Sequence, residues 1–149
     1  MSIVMATFKT IDMLFASCEM DLVDMRAKTI DESFFAHYEN QRIINSFLFN
    51  FGKIQDKIGA KLFRAVLYAQ QEIEDESMPM RDVLNVLEKL KLLNSADDWE
   101  RLREIRNALA HEYPFDITER IENIHLAMDA YSTLKTIYAN LQRFMAGAV

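Results

Sequence analysis

An all-α protein, an up-and-down bundle of four to five helices, is what this sequence predicts, and three observations predict it. Apolar residues recur at helical spacing along most of the chain. Glycine and proline are scarce, 3 and 2 in 149 residues. Half of the residues (50%) are hydrophobic and 27% are charged, a balance that suits a packed helical core and argues against a turn-rich β fold. The length fits a single domain over 1–149 with a substantial core.

Ile11, Leu14, Phe15, Cys18, Leu22 and Met25 follow the i, i+3, i+4, i+7 pattern and predict a first amphipathic helix over 7–28. After a break at Lys28-Thr29-Ile30, a long helix is expected to begin near Asp31 or Ser33, because Ile44, Phe47, Leu48, Phe51, Ile54, Ile58, Leu62, Val66 and Ala69 hold one stripe almost to Gln71. Gly52 and Gly59, seven residues apart, suggest close helix packing or a bend. Asp56, between them, is a solvated residue or a partner for Arg26, Arg103 or Arg106.

The acidic run Glu72–Ser77 before Pro79 reads as a solvated surface connection. Val83, Leu84, Leu87, Leu90, Leu92 and Leu93 then predict a short helix ending near Asn94. Ser95 with Asp98 resembles a capping arrangement that starts the next helix near Ala96, and Asp116 with Glu119 starts the last one. Ile117, Ile121, Ile124, Met128, Tyr131, Leu134, Tyr138, Leu141 and Met145 carry that helix to just before Gly147, and 31–71 and 116–145 form the long pair of the bundle.

Bulk properties exclude several function classes. The single cysteine, Cys18, forbids an internal disulfide and a cysteine-based zinc site, fits a reducing compartment, and is expected to pack. The first ten residues lack a basic region followed by a long apolar run, and no apolar stretch approaches the roughly 18 residues of a membrane span, so a soluble cytoplasmic protein is expected. There is no Walker loop, GxSxG elbow, CxxC or HExxH. His37 and His125 lack a set of metal-type ligands at helical spacing and read as ordinary helical residues; neither metal nor cofactor is expected. The net charge of −6 counts against general nucleic-acid binding, and 81–106 balances six basic against six acidic side chains, so no DNA partner is expected. A small site around Arg101, Arg103 and Arg106 that grips a few RNA phosphates remains compatible with it.

The stretch from Trp99 to Pro114 concentrates the chemistry. Arg106 can hold a phosphate bidentately, and His111 can take and give protons near neutrality. On an ideal helix of about 100° per residue, Trp99, Leu102, Ile105, Leu109 and Tyr113 share an apolar arc with Arg106 at its edge, and His111 lies about 140° round from Arg106. Either the helix frays before Pro114, or a second subunit completes the site, which predicts a homodimer.

Arg106-x4-His111-x-Tyr113 resembles the Arg-x4-His-x-Tyr signature of the HEPN superfamily (higher eukaryotes and prokaryotes nucleotide-binding), in its HepT-like toxin branch. Met80-Arg81-Asp82-Val83-Leu84, and Trp99 followed by Leu102 to Asn107, are similar to the same branch, so the resemblance covers most of the chain. It implies a HEPN-like bundle and a metal-independent endoribonuclease in which the RNA 2′-hydroxyl attacks the adjacent phosphate. By matching positions it implies that His111 is general acid or base, that Arg106 stabilises charge on the phosphate, and that Asn107 orients substrate or His111. It also implies a minimal nucleotidyltransferase antitoxin that modifies Tyr113 with AMP.

Two other readings stand beside this one. The chain could be a non-catalytic HEPN module that binds a nucleotidyltransferase or presents its substrate, which the net acidity favours. Or Arg106 is paired internally, His111 caps a helix end where its charge suits the dipole, and the Tyr113 ring completes the apolar arc.

Overall fold

The computed structural model describes residues 2–110 and 116–147, and among these the chain is all-α. Helix α1 spans Ile3–Arg26, its first turn capped by the Ser2 hydroxyl accepting from the Met5 amide at 3.2 Å. It therefore starts and stops slightly earlier than the 7–28 expected. Val4, Phe8, Ile11, Phe15, Cys18, Leu22 and Met25 are its buried face, a strict repeat of fours and threes. Burial pushes the Cys18 thiol up to about 12, aided by Asp21 and Glu19 nearby, which makes it an inert packing group.

The expected helix start at Asp31 needs correcting. Asp31 does act as a cap, accepting from the Phe34 amide at 3.1 Å, but what it caps is a 3₁₀ turn, Glu32–Ala36. His37 is then extended (φ −104°, ψ 122°), not helical as its pattern suggested, and α2 begins at Tyr38. The break anchors two aromatic side chains, since Phe34 and Phe35 are buried and their carbonyls accept from Asn40 at 3.0 Å and Gln41 at 2.8 Å.

Helical backbone is then continuous over 38–69: α2 (Tyr38–Lys57), a π turn (Ile58–Leu62) and α3 (Phe63–Ala69). A π turn inserts an extra residue into the helical ladder and occurs frequently at functional sites. Helix α3 ends with Gln71 in the left-handed region (φ 60°), closed by amides of Gln71 and Glu72 donating back to Tyr68 and Leu67.

Helix α4 (Met80–Lys89) is shorter than the expected run to Asn94. Lys91 takes φ 62° and the amides of Lys91 and Leu92 donate to Glu88 and Leu87, the same closure without a glycine to announce it. The turn lets Leu92 and Leu93 reach the core as loop residues. Arg64 fastens the preceding connection, its Nε and Nη2 each 3.1 Å from the Met78 carbonyl.

Helices α5 (Ala96–Ala110) and α6 (Ile117–Met145) complete the bundle. The Ser95 hydroxyl accepts from the Asp98 amide at 3.1 Å, as expected, and Glu88 supplies a further acceptor for the Ala96 amide at 2.8 Å. Asp116 caps α6 through the Thr118 amide at 2.9 Å.

Pairings along the helices set their directions. Asp21 and Cys18 on α1 meet Ser46 and Phe47 on α2, and Lys28 meets Asn40, so the two are antiparallel. Tyr131 reaches Glu19 and Tyr138 reaches Asp12, so α6 is antiparallel to α1 and runs with α2. The up-and-down order follows, with α4 a short brace against α5. One hydrophobic cluster draws on every helix. Among the described residues no helix is long and apolar enough to cross a membrane.

The two tyrosines are polar rivets in that cluster. Tyr131 donates to Glu19 at 2.7 Å, and Tyr138 to Asp12 at 2.7 Å, while each hydroxyl also lies within reach of a main-chain carbonyl of α1. Burial and these acceptors raise both phenol pKa values, burial being the larger cause. Hydrogen bonds from Lys135 and Tyr131 lower that of the Glu19 carboxyl.

Candidate functional site

Helix α5 docks antiparallel on α2 through two side chains that meet two glycines. Trp99 is 1% exposed and lies on Gly59, where a Cβ would stand 2.9 Å from its Cζ2. Phe63 meets the indole edge-on at 4.6 Å between ring centroids, fixing it from the other side. Two turns further along α5, Arg106 lies over Gly52, where a Cβ would stand 3.3 Å from its Nε. The seven-residue spacing of the glycines thus matches the seven-residue spacing of the side chains they receive.

Between the glycines, Asp56 takes Arg106 in a two-point grip: Nε to Oδ1 at 3.2 Å and Nη2 to Oδ2 at 2.9 Å. Of the three arginines the sequence offered as partners, the structure selects this one. The Arg106 side chain is 27% exposed and that of Asp56 56%, so the pair sits at the rim of the interface, with solvent on one side. Nε and Nη2 are thus both engaged by one carboxylate.

The pair forms the wall between two hollows. The first, about 340 Å³, is lined by Gln55, Gly59, Met80, Trp99, Arg103 and Asn107 besides the pair itself. The second, about 480 Å³, is lined by Asn45, Phe49, Lys53, Leu109 and Ala110. Both volumes fall in the range of about 300–1,000 Å³ typical of small-molecule sites. Phe49 is 65% exposed, with the Lys53 ammonium 5.4 Å from its ring centroid, so an aromatic face and a cation flank the second hollow.

The sequence-predicted residues divide accordingly. Arg103, Arg106 and Asn107 come together on the first hollow. Arg103 is held by Glu100 at 3.1 Å. Arg101 does not join them: it lines a separate hollow between α5 and α6 with Asn94, Asp98 and Asp129. Two residues along a helix is a rotation of about 200°, so Arg101 and Arg103 could not share a face. The expected three-arginine cluster is therefore corrected to a pair. Helix α5 stays regular to Ala110, so it does not fray between Arg106 and that point. His111 and Tyr113 lie outside the described residues.

Three functional candidates went unnoticed or undecided in the sequence. Asp56 and Gly52 are the seat of Arg106, and the matched spacings 52/59 and 99/106 were the available signal. Gln55 is the third, buried at 2% exposure with neither amide atom hydrogen-bonded among the described residues. The Trp99 indole nitrogen is likewise buried without a partner. Each such group costs about 1–3 kcal/mol while unpaired, and both residues border the first hollow, although the unpaired atoms themselves are shut off from it.

Among the described residues no three His, Cys, Asp or Glu side chains are grouped to hold a metal ion. No protein-family model, curated protein or solved structure matches this chain.

Proposed function

We propose that this chain is a HepT-like HEPN toxin, a metal-independent endoribonuclease acting as a homodimer in which each chain brings one His111. The observation that carries the reading is Arg106: a guanidinium oriented by Asp56, seated over Gly52, and placed between two hollows.

In this account Nη1 of Arg106 binds a non-bridging phosphate oxygen and stabilises the charge that builds on it as the 2′-oxygen attacks phosphorus. One histidine takes the 2′-hydroxyl proton, and the other protonates the departing 5′-oxygen. The step leaves a 2′,3′-cyclic phosphate and a 5′-hydroxyl, and consumes no water. Asn107, on the wall of the first hollow, orients substrate. The partner that restrains the enzyme is a minimal nucleotidyltransferase that transfers AMP to Tyr113. RNA cleavage by the purified protein in EDTA, lost in Arg106→Ala without a fall in Tm, tests the assignment.

A second reading has its own support. The site's arginines are paired with carboxylates, Arg106 with Asp56 and Arg103 with Glu100, on a chain of net charge −6. That suits a non-catalytic HEPN module whose helical face docks a nucleotidyltransferase. Such a module would bind that partner and leave RNA intact.

A further inference from the structure

Helix α2 carries phenylalanines at three alternate positions, and they part ways. Phe47 and Phe51 are buried at 0% and 1% exposure, whereas Phe49 between them is 65% exposed. No other described phenylalanine is as exposed. Its ring is met by the Lys53 ammonium, one turn along the helix and 5.4 Å from the centroid. A surface cation–π contact returns only about a third of what burying a phenyl ring would. It also covers one face of the ring at most.

The surroundings of that ring are those of an anion site. Phe49, Gly52, Lys53 and Asp56 stand at i, i+3, i+4 and i+7 on α2 and so share one face. Gly52 seats Arg106, and all five residues line the second hollow. Phe49 and Gly52 are about 4.5 Å apart along the helix axis, so one nucleotide can span from the ring to the guanidinium. The lining carries two cations and one carboxylate, a positive balance on a chain of net charge −6. That carboxylate, Asp56, is taken up by Arg106. Ala110, which also lines the hollow, is the residue before His111 in the sequence.

We propose that the second hollow is the subsite for one nucleotide of single-stranded RNA, its base stacked on Phe49 and its phosphate held by Lys53 beside Arg106; this rests on the RNA-cleaving reading above. Lys53 covers the ring in the free protein and, on its flexible stem, moves to the phosphate when a base takes its place. A phenyl ring offers a π face and no hydrogen-bonding atoms, so the stack accepts any base. It does require an unstacked base, because the faces of bases in a duplex are already occupied by their neighbours. The subsite therefore selects single strands without selecting a sequence.

The probe is a fluorescein-labelled single-stranded 2′-O-methyl RNA oligonucleotide of mixed sequence, read by fluorescence anisotropy. It has bases and phosphates but no 2′-hydroxyl to attack. Phe49→Ala should weaken its binding by roughly 5- to 100-fold, the worth of one base stacked on an aromatic ring. Phe49→Trp should bind at least as tightly as wild type, and Phe49→Leu, apolar but without a π face, as poorly as the alanine variant. Lys53→Gln should weaken binding and reduce the slope of log affinity against log salt by about 0.7, the loss of one single-strand phosphate contact. Because both side chains are exposed, these variants should melt as wild type does. In cleavage, Phe49→Ala should raise KM with kcat little changed, since the stack is made equally in ground and transition states. Phe49→Leu binding like wild type, a duplex of the same sequence bound as tightly as the single strand, or no binding by the wild type each overturns the proposal. Failure of the parent reading looks different. Ring-dependent binding by a protein that leaves unmodified RNA intact removes the nuclease and keeps the subsite, whereas cleavage that needs Arg106 and is indifferent to Phe49 does the reverse.

Discussion

Asp56 holds Arg106 by two hydrogen bonds, 3.2 Å to Nε and 2.9 Å to Nη2, from the opposite side of the α2–α5 interface. At this exposure the pair contributes about 1 kcal/mol or less to stability. Under the proposed nuclease reading its larger consequence is aim, since displacement of a catalytic group by about 1 Å can cost about 10²-fold in rate. Asp56→Ala should therefore change the unfolding free energy by about 1 kcal/mol or less while lowering RNA cleavage by about 10²-fold. Paired denaturation and cleavage measurements check this. A variant that cleaves like wild type shows that Arg106 needs no orientation.

The two glycines of the interface should respond differently to the same methyl group. At Gly59 the methyl meets the ring of a tryptophan fixed by Phe63, and overpacking of about 1–3 kcal/mol outweighs the roughly 1 kcal/mol gained in helix propensity. At Gly52 it meets the end of a flexible side chain, which can shift. Gly59→Ala should lower Tm, by about 2–4 °C per kcal/mol at this chain length, whereas Gly52→Ala should hold or raise Tm and weaken cleavage by moving Arg106. Thermal scans and cleavage rates of the two variants separate the cases.

How much of this was legible in the sequence depended on which physical signal carried it. Helical stripes fixed by many apolar residues gave the order and directions of α1, α2–α3, α5 and α6. The caps at Ser95 and Asp116 were readable because a short polar side chain before an apolar run has few other uses. The end of the long stripe near Gln71 was readable, but the end of α4 was not, because Lys91 occupies a left-handed position where a glycine would have given notice. At the site, Arg106 on a core-facing arc demanded a partner, but spacing alone could not choose among candidates for Asp56. Gln55 sits one turn from both Phe51 and Gly59 on the buried face, so its burial was deducible. Its lack of a partner was not, because that depends on where Trp99 lands.

Stability should fall at alkaline pH through Tyr131 and Tyr138. Their phenol pKa values are raised above the ordinary 10.0, so the neutral hydroxyls stabilise the fold fully below pH 10 and progressively less as pH rises through and beyond that value. Glu19 works in the opposite sense: its pKa lies below the ordinary 4.5, so its contribution is present above pH 4.5 and is lost as pH falls through the depressed value. For wild type, urea midpoints should match at pH 7 and 9 and decline by pH 10.5. Tyr138→Phe should start lower at pH 7, by about 1–2 kcal/mol, and decline less steeply.

Tyr113 tests the regulatory half of the proposal. Tyr113→Phe should fold and remain toxic but resist neutralisation by a nucleotidyltransferase partner with ATP, and intact-mass measurement should find AMP on the wild type only. If Tyr113 serves instead to complete the apolar arc of α5, the Phe variant is mass-shifted and neutralised as readily as the wild type.

The central claim is that Arg106 and His111 cleave RNA by 2′-hydroxyl attack without a metal ion. Mass spectrometry of the ends produced when purified protein meets single-stranded RNA in EDTA tests it most directly. The account predicts 2′,3′-cyclic phosphate and 5′-hydroxyl ends from wild type, and intact RNA from Arg106→Ala and His111→Ala proteins that melt as wild type does. Intact RNA with the wild type, or the same ends from Arg106→Ala, would contradict it.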